Sequence, residues 1–183
     1  MEKWQQGDSS AFEEFFREHE KPVLRTAYLI TGSKQQAEDV MQSVFLSAWK
    51  SRSSYDPSKG KASTWLHRIV VNQCSDALKK SGLKPSPLED CEQVEDIQPK
   101  PEDELLARDE RRSVTEAIST MPEKYRTILV LHYFNDLTYR DIAGLLKLPM
   151  GTVQWRLNQA LKIARNKLYE YTDVSKRGCK DEM

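Results

Sequence analysis

LTYRDIAGLLKLPMGTVQWRLNQALKIARNKL, residues 137–168, reads as a short helix, a four-residue turn and a longer helix; from Lys147 onward it holds five positive charges and no negative one. Thr138 followed three residues later by Asp141 is a capping-box variant that starts the first helix, whose apolar side is Tyr139, Ile142, Ala143, Leu145 and Leu146. Lys147-Leu148-Pro149-Met150 breaks it. Beyond Pro149, the residues Val153, Leu157, Ala160, Leu161, Ala164 and Leu168 recur at helical spacing and predict one buried stripe. The opposite arc carries Thr152, Trp155, Gln159 and Lys162, flanked by Arg156 and Asn158, side chains of the kind that hydrogen-bond or stack on base edges. This is the pattern of a helix-turn-helix reading head for DNA. The same residues also suit a plain amphipathic helix with a solvated face, so the rest of the chain decides.

With 183 residues the chain can hold one medium domain or two small ones, and 38% hydrophobic residues suffice for helical cores. Seven Gly and little Val/Thr alternation argue against a β-rich fold. No run is long enough to cross a bilayer, and MEKWQQGDSS at residues 1–10 lacks the charged and apolar regions of a signal peptide, which predicts a soluble, cytoplasmic protein. Cys74, Cys91 and Cys179 are odd in number and lack CxxC spacing, and His19, His67 and His132 are scattered, so neither a disulfide framework nor a metal site is expected. There is no P-loop and no convincing nucleophile and base pair. The chain is expected to be no enzyme and to need no cofactor.

The zero net charge conceals a division. Residues 1–80 carry +2, residues 81–104 carry −6 and residues 105–183 carry +4. The middle segment, SGLKPSPLEDCEQVEDIQPKPEDE, holds four of the eight Pro and few large apolar residues, too few to offset the entropy of ordering. It is expected to be a flexible acidic linker between two helical blocks.

In the first block Phe12, Phe15, Phe16, Val23, Ala27 and Ile30 follow helical spacing up to Thr31-Gly32, with Pro22 expected to bend or divide the segment. Ala37, Val40, Met41, Val44, Phe45 and Ala48 form the clearest helix, starting near Ser33, with Glu38, Asp39, Gln42 and Ser43 on its outer side. A polar loop, 51–61, leads into a third helix over 63–80 in which Leu66, Ile69, Val70, Ala77 and Leu78 look inward. All-α is the expected fold class.

AEDVMQSVFLSAWK at residues 37–50, Tyr55-Asp56-Pro57 with Lys59-Gly60-Lys61, Ser63-Thr64-Trp65-Leu66 with Arg68-Ile69, the pair Asn72 and Asp76, Met121-Pro122-Glu123-Lys124-Tyr125-Arg126, and Gly151-Thr152-Val153 with Arg156-Leu157 occur in that order. Together they resemble an extracytoplasmic-function (ECF) sigma factor of bacterial RNA polymerase. The resemblance implies sigma region 2 at residues 8–80, the linker at 81–104, sigma region 4 at 105–170 and a polar tail at 171–183. It implies a promoter-specificity subunit that binds core polymerase and helps start transcription of a stress or envelope regulon.

The family's docking helix carries over to Asp39, Gln42, Phe45 and Trp49 as contacts to the clamp helices of the largest polymerase subunit, with Ser43 standing where an acid is usual. A flap contact on the second-largest subunit is implied for region 4. Recognition and melting of the minus-10 element carry over to Tyr55, Lys61, Ser63, Trp65, Arg68, Asn72 and Lys79. Of these, Lys61, Arg68 and Lys79 suit phosphates, and Asn72 has the donor and acceptor that a base edge requires. Trp65 is better suited to core packing than to stacking on bases, and Asp76 to orienting a basic neighbour. Ala62 stands where the family often has an aromatic residue.

Reading of the minus-35 element carries over to Thr152, Trp155, Arg156, Asn158, Gln159 and Lys162. Gln154, Gln159 and Leu161 replace common Lys or Arg, which predicts a shallower salt dependence. Trp155 is open to two roles, contact with a thymine methyl or packing against a protein. An anti-sigma protein, often membrane-bound, is the regulator that the family implies. The alternative is a stand-alone helix-turn-helix regulator of the LuxR type, although residues 1–80 show no βα pattern of a sensory domain.

Overall fold

The computed structural model describes residues 3–81 and 113–178, and among these every regular element is a helix. They are α1 (Ser9–Thr31), α2 (Lys34–Lys50), α3 (Ala62–Ser81), α4 (described over 113–119), α5 (Glu123–Tyr133), α6 (Tyr139–Leu146) and α7 (Met150–Gly178), with short 3-10 turns at Lys3–Gln6, Arg52–Ser54 and Pro57–Lys59. The acidic linker expected at 81–104 lies almost wholly outside the described residues. Because α7 runs on to Gly178, the first part of the expected polar tail is helical.

Local chemistry sets the ends of the first hairpin. Asp8 caps α1 by accepting from the backbone N–H groups of Ser10 at 2.9 Å and Ala11 at 3.1 Å. Gly32 ends it in the left-handed region at φ +76°, where a side chain would be strained, and its N–H donates to Tyr28 O at 2.8 Å. Ser33 then caps α2 through Gln36 N. Of the two outcomes expected at Pro22, a bend or a division, the division is corrected, since α1 is continuous through it. Phe15 on one side of Pro22 and Val23, Ala27 and Ile30 on the other are buried in one core, which holds the helix together across the missing donor.

That core is completed by Ala37, Val40, Val44 and Ala48 of α2 and by Leu66, Val70 and Cys74 of α3, all buried. Each Leu, Ile or Val buried in this way contributes roughly 1.5–3 kcal/mol. The Cys74 thiol sits deep enough that burial pushes its pKa up to about 12, so it stays protonated and packs as a small apolar group.

In the second block α5 and α6 both pack on α7. Thr138 and Asp141 form the expected capping box: Thr138 Oγ1 accepts from Asp141 N at 3.2 Å and Asp141 Oδ2 accepts from Thr138 N at 3.1 Å. Lys147 ends α6 in the left-handed region at φ +54°. Pro149 O then accepts from Thr152 N at 2.9 Å and Val153 N at 3.2 Å, which opens α7. Ile142, Val153, Leu157 and Ala160 are buried between the two helices, but Leu161 is exposed, contrary to its expected place in the stripe. At about 100° per residue Leu161 falls outside the arc shared by Val153, Leu157 and Ala160.

The two blocks touch directly, α1 against α5 and α3 against α6. Asn135 Nδ2 donates to Thr26 Oγ1 at 2.8 Å and to His67 Nε2 at 2.6 Å. The Arg25 guanidinium lies 5.0 Å from the centre of the Phe134 ring. Arg126 is buried beside Gly32, at the end of α1, and donates from Nη1 to Ser119 O at 2.6 Å. A positive group there faces the negative pole of α1.

Burial, reinforced by nearby His19, lowers the His67 pKa from 6.5 to about 4. The packed state therefore holds a neutral imidazole that accepts from Asn135. Above pH 6.5 the ring is neutral whether or not the blocks are packed. As pH falls below 6.5, any form in which the ring is exposed gains a proton that the packed form refuses until about pH 4, so the packing weakens over that window. Distances between labels on α2 and α7 should lengthen between pH 7 and pH 4.5, and His67→Gln should flatten the response. A His67→Gln profile identical to the parent's would contradict this account.

Candidate nucleic-acid and protein interfaces

Three surfaces carry the residues singled out in the sequence. On α2, Asp39 and Gln42 are exposed, and Leu46, 62% exposed, lies between them on the helical wheel. A large apolar side chain held in water beside two polar ones is what the centre of a protein contact needs. Leu46 follows Gln42 by four residues, which could have marked it. The expectation that Phe45 meets a partner is corrected: its ring is buried, with its centre 4.5 Å from that of Phe16. Phe45 sits at the border of the apolar arc, and the core claims it. Trp49 is half-buried, 4.9 Å from Phe12, with the Arg52 guanidinium 4.3 Å from its ring centre.

The second surface is the loop 51–61 with α3. Lys61 accepts the first helical bond from Trp65 N, and Lys61, Arg68, Asn72 and Lys79 are all exposed. At about 100° per residue these four fall within about 40° of one another, and they span about 27 Å along the helix. Leu66, Val70 and Cys74 occupy the opposite, buried side. Three cations and one amide in a line are suited to following a single phosphate backbone while offering one base-pairing edge. Lys79 lies 3.6 Å from Asp76, so that carboxylate steadies the last cation of the row. At the middle of the row, Arg68 Nη2 is 3.5 Å from Gly144 O of α6.

Ser63 is not brought into this row. It is half-buried and turned towards the inner side of α3. Tyr55 is corrected in the same sense: it is buried, and its hydroxyl donates to Gly60 O at 3.2 Å. The Tyr55 ring shapes the loop from inside. Trp65 is half-buried, its ring centre 5.7 Å from that of Tyr55, in keeping with the packing role that its sequence position favours.

On α7, Trp155, Asn158 and Lys162 are exposed, while Thr152, Arg156 and Gln159 are half-buried. Trp155, Asn158, Gln159 and Lys162 stand on the side away from Val153, Leu157 and Ala160, while Thr152 and Arg156 flank that stripe, Arg156 about 40° from Ala160 on the helical wheel. Trp155 is 53% exposed, and its ring centre is 6.2 Å from that of Tyr125, so one edge rests on α5 and the other projects. The polar groups of this face include donors and acceptors suited to base edges.

Residues 15–83 match the Sigma-70 region 2 family, and residues 111–163 match the Sigma-70, region 4 family. The chain is 30% identical over 173 residues to the ECF RNA polymerase sigma factor SigW of Bacillus subtilis, covering 88% of this chain and 91% of that one. It is 33% identical over 175 residues to the ECF RNA polymerase sigma factor SigM of Mycobacterium tuberculosis, covering 93% and 84% respectively. Among solved structures, CnrH in complex with the cytosolic domain of CnrY superimposes with a TM-score of 0.64 at 21% identity, covering 94% of each chain. The sigma factor RpoE of Bartonella quintana, in complex with the anti-sigma factor NepR, gives 0.67 at 20% identity, covering 86% of this chain and 98% of that one. No helix among the described residues is long and apolar enough to cross a membrane. With both signature regions in order and relatives matched over nearly their whole length, the chain belongs to the extracytoplasmic-function family of RNA polymerase sigma factors, the promoter-specificity subunits of transcription initiation.

Proposed function

We propose that this sigma factor divides promoter recognition among its three surfaces. The outer face of α2, with Asp39, Gln42 and Leu46, docks on the clamp helices of the largest polymerase subunit. The row Lys61, Arg68, Asn72 and Lys79 holds the melted minus-10 strand. The exposed side of α7 enters the major groove at the minus-35 element. The observation that carries this reading is the α3 row, because a line of three cations and an amide opposite a buried stripe has no part in the core. The factor acts in the cytoplasm, region 4 meets the polymerase flap, and an anti-sigma protein restrains the factor by covering its DNA-facing surfaces. The stand-alone regulator is the weaker reading, since such a protein would need no α2 docking face.

Transcription reconstituted with purified core polymerase on a promoter library tests this reading. Addition of the chain should select a promoter class that core polymerase alone does not use. Tight operator binding without polymerase, and no polymerase-dependent transcript, would favour the stand-alone regulator. Within this system, Leu46→Asp and Asp39→Arg should each weaken association with core polymerase by at least about fivefold, the loss of one central contact of more than about 1 kcal/mol. Thermal unfolding should be unchanged, because both side chains are exposed. Parent-like affinity in both variants would remove α2 from the docking surface.

A further inference from the structure

The melting loop is held by residues at the start of the chain, which no periodicity in the sequence marks. Lys3–Gln6 forms a single 3-10 turn, Gly7 reverses the chain at φ +93°, and Asp8 then caps α1, which returns the turn against Arg52–Ser54. Trp4 is 4% exposed. Its ring is stacked on Phe15 at 4.7 Å and on Tyr55 at 5.5 Å, and it lies 5.8 Å from Trp65. Next to it, Gln5 is also buried, and its Nε2 donates to Tyr55 O at 2.6 Å and lies 3.5 Å from Arg52 O. Other bonds of the loop are local, such as Ser54 Oγ to Ser51 O, Ser58 N to Asp56 Oδ1 and Tyr55 Oη to Gly60 O.

We infer that Trp4 and Gln5 are positioning residues for promoter melting, fixing the loop 51–61 in the shape that presents Lys61 and the start of α3 to the unpaired strand. The inference rests on the proposed role of this loop and of the α3 row. Both side chains act through Tyr55. Trp4 fills the space beneath its ring, and Gln5 ties its carbonyl. A loop that must hold unstacked bases gains from being ordered before they arrive, because ordering it afterwards would subtract from the binding free energy. Trp4 and Gln5 precede the residues matched to region 2, which begin at residue 15.

Holoenzymes assembled with Trp4→Ala, Trp4→Phe, Gln5→Ala and the pair Asn72→Ala/Lys79→Ala test it. Each is scored for core-polymerase affinity, affinity for a duplex carrying only the upstream element, and permanganate reactivity of thymines in the opened promoter. Removing the Gln5 bond should lower the open fraction about fivefold, the effect of one net hydrogen bond. Trp4→Ala should lower it further and Trp4→Phe should restore most of it, while the two affinities stay at the parent value. Unchanged thymine reactivity in both Trp4→Ala and Gln5→Ala, when Asn72→Ala/Lys79→Ala is impaired, would overturn the brace and leave the role of α3 standing. Unchanged reactivity in all of them would overturn that role as well. A fall in polymerase affinity parallel to the fall in melting, in Gln5→Ala as in Trp4→Ala, would mean general loosening of the first block and would also overturn the brace.

Discussion

Arg156→Ala is expected to lower the affinity of holoenzyme for its promoter by roughly 5- to 150-fold, the counterpart of 1–3 kcal/mol for one bidentate contact to guanine. Arg156 is the only cation among residues 148–161. Its side chain is half-buried at the border between the apolar stripe and the proposed reading face of α7, next to Trp155 in the chain and three residues before Gln159. Because the stripe Val153, Leu157 and Ala160 anchors the helix, loss of Arg156 should leave the fold intact. The companion substitution runs the other way. Gln159→Arg adds a cation to the exposed side of α7, so binding should tighten and the slope of log affinity against log salt should steepen by about one phosphate equivalent. Promoter affinity measured from low to high salt, on templates with intact and altered upstream elements, checks both. Arg156→Ala binding like the parent, with Gln159→Arg keeping the parental slope, would mean that this side of α7 does not face DNA.

The fold was legible wherever its causes were local. The Thr138–Asp141 box needs only residues three apart, and the Ala37, Val40, Val44, Ala48 series writes a buried face directly into the spacing. Pro22 does not divide α1: the local rule counts a lost donor and a clash, whereas the helix survives on apolar packing supplied from α2 and α3. Phe45 and Leu161 both lie at the border of an apolar arc. There periodicity leaves the side open and the neighbours decide: Phe16 covers Phe45, and no element covers Leu161 to the same extent.

The candidate site was legible in part for the same reason. Lys61, Arg68, Asn72 and Lys79 share a helical face, so their alignment follows from their numbers. Tyr55 belongs to a loop, where spacing says nothing about direction, and its burial depends on Trp4, fifty-one positions away. Nor could the contact between the blocks be read. Thr26, His67 and Asn135 are isolated polar residues on α1, on α3 and beyond α5, and nothing in their spacing announces that they meet.

The second large effect concerns the α3 row. Asn72→Ala/Lys79→Ala should leave closed-complex formation close to the parent and lower the open fraction by roughly 30-fold or more, since one neutral and one charge-assisted hydrogen bond together contribute at least about 2 kcal/mol. The split is expected because both side chains are exposed at positions suited to a separated strand, while the proposed division of labour gives duplex reading to α7. Thermal stability should change little, because neither residue contributes to the core. Permanganate footprinting of the reconstituted holoenzyme is the most direct test of this division of labour. The account predicts that thymines near the start site lose their reactivity in Asn72→Ala/Lys79→Ala while protection of the upstream element persists. Full thymine reactivity combined with lost upstream protection would contradict it.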